Sequence, residues 1–333
     1  MSNQRAFLFG LPLLVLVALF GMAVGPLTLD MTAIWNPEST SSAVFWQLRM
    51  PRVLLAALCG ALLALTGAAT QTLFRNPLAD PSLIGVSAGA ALATVGFVVL
   101  GGALLSAHAW LATLGLPLAS FVGGVLSTLL VIRMAAQYRS VSMTALLLIG
   151  LAINAIAGAL IGGLKYVADD QSLRDASFWL MGRFNEASWW QVALLAVAFL
   201  VTAPLLQRRA SSMNLWLLGR QEAMLLGVDV RHLRWLLIIC ASVGVGVVVA
   251  FAGLIGFVGL MVPHLVRLKA GPDNRLLLPQ SALVGAILMT VADALSRVLI
   301  APSELPVGIL TALAGGPFFL FLIHLRYREA GDA

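Results

Sequence analysis

Asp293 and Arg297 stand four residues apart inside an otherwise apolar run, about 279–298. At that spacing they lie one above the other on a helix face and form an intrahelical ion pair. An ionisable residue in such a run is also a candidate for handling protons or substrate, so both readings stand for Asp293. Arg49-Met50-Pro51-Arg52 sets two more cations at the start of another apolar run. With Arg297 they would form a cluster at a membrane mouth, able to attract an anionic substrate or dock an acidic partner. Snorkelling at the interface is the plainer alternative. A third pattern runs from Met213 to Val228. Leu215, Leu218, Glu222, Leu225 and Leu226 share a helical face there, interrupted by Gly219. The segment is too short and too polar to cross a bilayer, so it rests on the membrane surface or inserts into a partner's groove.

Other chemistry is sparse. His108, His232, His264 and His324 are scattered, and none pairs at metal-ligand spacing. No nucleophile–base pair or carboxylate pair occurs. No Gly-rich loop ends in Lys-Ser or Lys-Thr, so if ATP drives this protein, another chain binds it. The expectation is a chain with no catalytic residues, no metal and no cofactor of its own.

The elements that must position these residues follow from composition. The 333 residues are 60% hydrophobic and 10% charged, with a mean hydropathy of +0.99. Soluble domains carry roughly 25% charged residues, so lipid is the solvent for most of this chain. Ten apolar runs are candidate spans: about 6–25, 53–73, 83–101, 111–132, 142–163, 189–206, 234–251, 253–268, 279–298 and 306–325. They are too long and too continuously apolar for barrel strands. The expected fold is an all-α polytopic membrane protein of about ten transmembrane helices, one transmembrane domain over 1–333, with both termini cytoplasmic. Most of the 20 lysines and arginines then fall on the inner side, as the positive-inside rule requires. The net charge of +6 follows topology, which removes any reason to invoke nucleic acid. The first run could be read as a signal peptide, but it is long for that role, and retention is expected. Cys59 and Cys240 lie inside apolar runs and read as packing residues.

Two finer features concern packing. Small residues recur every fourth position: Ala56, Gly60, Ala64 and Ala68; Gly150, Asn154, Gly158 and Gly162; Ser242, Gly246 and Ala250. Such stripes let helices approach closely in lipid, and an open one would also line a substrate path. Leu83-Ile84-Gly85 and Leu254-Ile255-Gly256 open spans of opposite direction, the pattern of an inverted repeat.

The loop Gln71–Gly85, with Arg75-Asn76-Pro77-Leu78-Ala79-Asp80-Pro81, is more elaborate than a helix connection needs. Together with Leu48–Arg52, Gly85–Ala90, Leu218-Gly219, Leu226-Gly227-Val228, Gly253–Leu260, Val262-Pro263-His264, Ala292-Asp293, Glu304–Gly308 and Gly315–Phe319, it resembles the permease family of ATP-driven importers for iron chelates, heme and cobalamin. The resemblance runs over nearly the whole chain in order. It implies a homodimer in the bacterial inner membrane, with two cytoplasmic ATPase subunits and a periplasmic binding protein. On that basis Arg49, Arg52 and Arg297 would dock the binding protein. Within a cytoplasmic coupling loop, about 207–233, Leu218, Gly219, Glu222, Ala223, Leu226 and Gly227 would couple to the ATPase. Ser142, Met143 and Thr144 would form the cytoplasmic gate. Arg174 and Asp293 are candidates for the substrate path or mouth. Ala168-Asp169-Asp170 resembles heme permeases, so heme is the expected substrate, with a ferric siderophore or cobalamin as alternatives. A proton-coupled secondary transporter is the rival class.

Overall fold

A computed structural model describes residues 2–25, 30, 32–101, 109–136 and 143–331. In chain order its helices are α1 (Ser2–Ala23), α2 (Thr40–Phe74), α3 (Val86–Leu100), α4 (Ala109–Ala136), α5 (Met143–Val167), α6 (Asp170–Leu180), α7 (Trp189–Arg208), α8 (Ala210–Leu218), α9 (Arg220–Leu225), α10 (Val230–Ala252), α11 (Val258–Ala270), α12 (Asn274–Ser296) and α13 (Val307–Gly331). The described residues contain no strand. Six of these helices are long and apolar enough to cross a membrane. All ten apolar runs of the sequence fall on helices, but two do so only in part.

Those two are α3 and α11. The run at 253–268 was expected to be one continuous span. Instead, 253–257 is non-helical and α11 has 13 residues, about 20 Å at 1.5 Å per residue. That is short of a hydrocarbon core of about 30 Å. Gly253 at φ 73° and Phe257 at φ 67° break the helix. In the same way α3 starts only at Val86, after the 3-10 turn Pro81–Ile84 and Gly85 at φ 82°. The two Leu-Ile-Gly segments noted in the sequence are thus the entries to two shortened helices.

The core is α2, whose central stretch is buried almost throughout. Its hydroxyls hide within the helix: Thr66, Thr70 and Thr72 donate to the carbonyls of Leu62, Thr66 and Ala68 at 2.7, 2.9 and 3.0 Å. α2 packs most extensively on α12. At the crossing Gly60 and Gly285 meet backbone to backbone, and a Cβ on either would strike the other's carbonyl. The first small-residue stripe is therefore a packing seam. The stripe on α5 divides: a Cβ on Gly150 would strike the Leu83 carbonyl and Asn154 donates to the Ser82 carbonyl at 3.3 Å, whereas Gly158 and Gly162 have nothing within 4 Å of where a Cβ would lie. Leu148, Leu151, Ile156 and Leu160 on the same helix are exposed. α5 leaves an apolar flank uncovered by its own chain.

Candidate functional site

The α2–α12 pair carries charge at one end. Arg52 Nε donates to Asp293 Oδ1 at 2.8 Å, and Arg52 Nη1 donates to both carboxylate oxygens of Glu304 at 2.8 and 3.0 Å. Arg297 Nη2 lies 3.1 Å from Asp293 Oδ2, so the expected i, i+4 pair is present. Asp293 is fully buried and shared between two guanidinia, which sequence spacing could not reveal.

The two outer arginines of this cluster are not presented at an open mouth, as the sequence suggested. Arg49 is 5% exposed and Arg297 3%. Arg49 Nη1 donates to the carbonyls of Met22 and Ala23 at 2.9 and 2.8 Å. Arg297 donates to those of Val24 and Gly21 at 2.8 and 2.9 Å. These are the last carbonyls of α1 and the residue after it, groups a helix end leaves without intrahelical partners. Positive charge at a helix C-terminus is also favourable to the helix dipole. The clamp therefore holds α1 onto α2 and α12. The π turn Val44–Arg49 brings the chain to the first arginine, and such turns often mark functional places. Clefts of about 370 and 250 Å³ open beside the cluster, both bordered by Arg52, Asn185 and Glu304. Arg52, with 12% of its side chain exposed, and Glu304 border both, while Arg49 and Arg297 border the larger one only.

The opposite end of the same helix pair is bolted to α8. Trp216, nearly buried, donates its indole N–H to the carbonyls of Thr72 and Leu73 at 3.0 and 3.2 Å. Arg75 lies over its ring at 5.1 Å, a cation–π contact. Asn214 accepts from the Asn274 backbone N–H at 2.8 Å and donates to Asp273 at 2.6 Å. Thr72 donates to Asn274 Oδ1 at 3.0 Å. α8 thus touches the last turn of α2 and the first turn of α12 together. The sequence reading passed over Trp216 and Asn214 because their partners lie far away in the chain. A buried tryptophan needing a partner for its N–H was the available signal.

The expected coupling segment is two helices, not one. Gly219, at φ 141°, separates α8 from α9, so the five-residue face spanning that glycine does not form. Leu218, Met224, Leu225 and Leu226 are nonetheless exposed, Leu225 at 87%, and Glu222 and Gly227 are exposed beside them. Ala223 is fully buried in its own chain. Its small size serves α9's seat on the protein.

A third feature lies between the two shortened helices. A cleft of about 340 Å³ is bordered by Leu63, Asp80, Ser82, Ser87, Ile255 and Phe257. The Pro-marked loop forms one wall, ordered by Asp80 accepting from the Ser82 N–H at 2.8 Å. Ser127 donates to the Gly85 carbonyl at 2.8 Å, and Gln71 reaches the Leu260 carbonyl at 3.0 Å. Leu254-Ile255-Gly256 lines the cleft, and Ser82 and Ser87, on either side of Leu83-Ile84-Gly85, line it too.

Of the other predicted residues, Ser142 lies outside the described residues, Met143 begins α5, and Thr144 is exposed. Arg174 is exposed on α6. Asp169 caps that helix, accepting from the N–H groups of Gln171 and Ser172 at 2.9 Å each. Bonds from Ser172 lead in holding its carboxyl below the usual range. The Ala-Asp-Asp motif therefore has a local structural job. Among the described residues, no group of three or more His, Cys, Asp or Glu is placed to hold a metal ion.

Among the described residues, a strand-free bundle with six helices long and apolar enough to cross a bilayer is that of a multi-pass membrane protein. The model of the FecCD transport family matches residues 13–325, and the chain belongs to that family; it is a permease of the ABC importer type. It is 44% identical to the hemin transport system permease protein of Yersinia pestis, over 96% of this chain and 95% of that one. It is 39% identical to the vitamin B12 import system permease protein of Vibrio cholerae serotype O1, over 96% and 94%. A solved metal-chelate type ABC transporter in an inward-facing conformation superposes with a TM-score of 0.85 at 34% identity, over 96% and 99%.

Proposed function

We propose that this chain moves heme across the bacterial inner membrane, taking it from a periplasmic binding protein and releasing it to the cytoplasm. The observation that carries heme is the end-to-end 44% identity to a hemin permease. Vitamin B12 is the second reading, favoured by the 39% identity to a B12 permease. In this account the working unit is a homodimer with two cytoplasmic ATPase subunits, which bind the ATP. The Arg52–Glu304 end faces the periplasm and the exposed leucines of α8 and α9 seat on the ATPase. The uncovered flank of α5, with Gly158 and Gly162, faces the second copy or the substrate path. Ten spans and cytoplasmic termini complete the topology.

Asp293 supports ATP drive over proton drive. Its carboxylate is fully buried and committed to Arg52 at 2.8 Å and Arg297 at 3.1 Å, the place of a structural counter-ion between helices. The arginines of the cluster serve docking in two ways. Arg52 is the member that an acidic lobe reaches directly, while Arg49 and Arg297 fix α1 beneath it. The test of substrate is competition in proteoliposomes holding the full complex. Excess unlabelled cobalamin should leave labelled heme uptake intact. Uptake of cobalamin in preference to heme would overturn the assignment.

A further inference from the structure

α10 has a cleft on each side of its first two turns. One, of about 530 Å³, lies toward α4 and α5 and is bordered by Ile132, Leu146, Arg220, Arg234 and Ile238. The other, of about 550 Å³, lies toward α7 and runs along Leu205, Leu236, Ile239 and Cys240. Asp229, Arg231 and Trp235 border both, so the two clefts flank one ridge of α10. Trp235 and Ile239 on that ridge are exposed.

Charge and shape point to one kind of ligand. Three guanidinia face one carboxylate, and Asp229 is already engaged in capping α10 through the His232 N–H at 3.0 Å. Arg220 and Arg234 border the same cleft, so an anion between them would offset two like charges. Below the charges the walls are aliphatic and belong to membrane helices. An inorganic anion would use only the top of this site. A ligand with an anionic head and two apolar tails uses all of it, and tryptophan and arginine are the side chains that settle at a bilayer interface. Basic pockets between helices on the cytoplasmic side are suited to anionic headgroups.

We propose that an anionic diacyl phospholipid straddles α10, its phosphate held by Arg220, Arg231 and Arg234 and one acyl chain lying in each cleft. The site would place a lipid directly against α9, so its occupancy bears on the helix pair that carries the exposed leucines. The proposal needs that the chain lies in a bilayer with the α9–α10 end on the cytoplasmic side, as the proposed topology has it, and it stands whatever the substrate is.

The test uses the full chain in detergent, with phosphatidylglycerol, phosphatidylcholine of the same chains, and inorganic phosphate as probes. Phosphatidylglycerol should be retained in preference to phosphatidylcholine by native mass spectrometry. Removing two arginine charges at an anionic surface should weaken it about thirtyfold. R231Q/R234Q should show that loss, while R208Q/R209Q, which removes equal charge from exposed arginines outside both clefts, should not. Equal retention of the two lipids, or equal loss in both variants, would overturn the site. Thermal stabilisation by inorganic phosphate matching that by phosphatidylglycerol would overturn the lipid as its occupant. Should R231Q/R234Q fail to fold, a photoactivatable phosphatidylglycerol on the unmodified protein decides. Labels near Leu205 and Trp235 support the site, and labels only elsewhere reject it.

Discussion

Asp293→Asn is the most informative single perturbation of the α2–α12 pair. The wild-type carboxylate is fully buried and takes Arg52 at 2.8 Å and Arg297 at 3.1 Å. Asparagine keeps the volume and removes the charge. Arg52 retains Glu304, which is partly exposed, and Arg297 retains only carbonyls and the amide that replaces its partner. For an exposed helical pair the loss would be a few tenths of a kcal/mol, but burial changes the scale. Removing one partner of a buried pair costs about 3–5 kcal/mol, because a desolvated charge is left behind. The carbonyls of Gly21 and Val24 soften this, so we expect the lower part of that range. The assay is thermal unfolding of the purified protein in detergent, read by thiol exposure, since Cys59 and Cys240 are both buried. Asp293→Asn should lower Tm by several degrees. Arg297→Gln on that background should recover part of the loss, because the orphaned charge then disappears. A loss below about 1 kcal/mol, the scale of an exposed pair, or a double variant worse than the sum of the singles, would refute the reasoning.

Four further outcomes follow from the geometry. Trp216→Phe keeps an aromatic ring but takes the indole N–H from the Leu73 carbonyl, while the Thr72 carbonyl keeps the Arg75 N–H at 3.1 Å; we expect about 1–3 kcal/mol of instability and fewer substrate molecules moved per ATP, measured as a transport-to-hydrolysis ratio. Leu225→Glu, at an 87% exposed position, should change stability by less than about 0.5 kcal/mol yet weaken ATPase-subunit binding in pull-downs, whereas Ala223→Trp should overpack a buried seat at about 1–3 kcal/mol. Gly60→Val should destabilise the α2–α12 seam while Gly158→Val leaves Tm unchanged and reduces uptake, which a thermal scan paired with an uptake assay separates. The Arg275 N–H, followed by Asn214, holds the Asp273 carboxyl below the usual range. Its stabilisation is therefore present above about pH 4 and lost as pH falls through the lower folded value; Asp273→Asn should flatten that acid limb of a Tm-against-pH curve.

The helices were largely legible because lipid makes hydropathy a direct readout of span position. What misled the reading at 253–268 was that a run of apolar residues says nothing of backbone breaks; Gly253 and Gly256 were the available warning. The stripe on α2 and the stripe on α5 look alike in sequence, yet the first is a seam with α12 at Gly285, while the second packs at Gly150 and Asn154 and is open at Gly158 and Gly162. The three arginines do gather at one end of the α2–α12 pair, but Arg49 and Arg297 are buried there. Arg49 and Arg297 are satisfied by carbonyls of α1, and backbone acceptors carry no sequence signature. Arg52 finds Asp293 and Glu304 some 240 to 250 residues away, a separation that no periodicity encodes. Gly219 was visible as a break, and its φ of 141° is why one expected helix became two.

The central claim is ATP-driven heme import, and uptake into proteoliposomes tests it most directly. The permease is reconstituted with its ATPase and binding protein, loaded with ATP, and assayed for labelled heme with and without an uncoupler. Uptake should persist with the proton gradient collapsed and stop when the ATPase is inactivated. Uptake that fails with the uncoupler while ATP is present, and survives an inactive ATPase, would contradict the account.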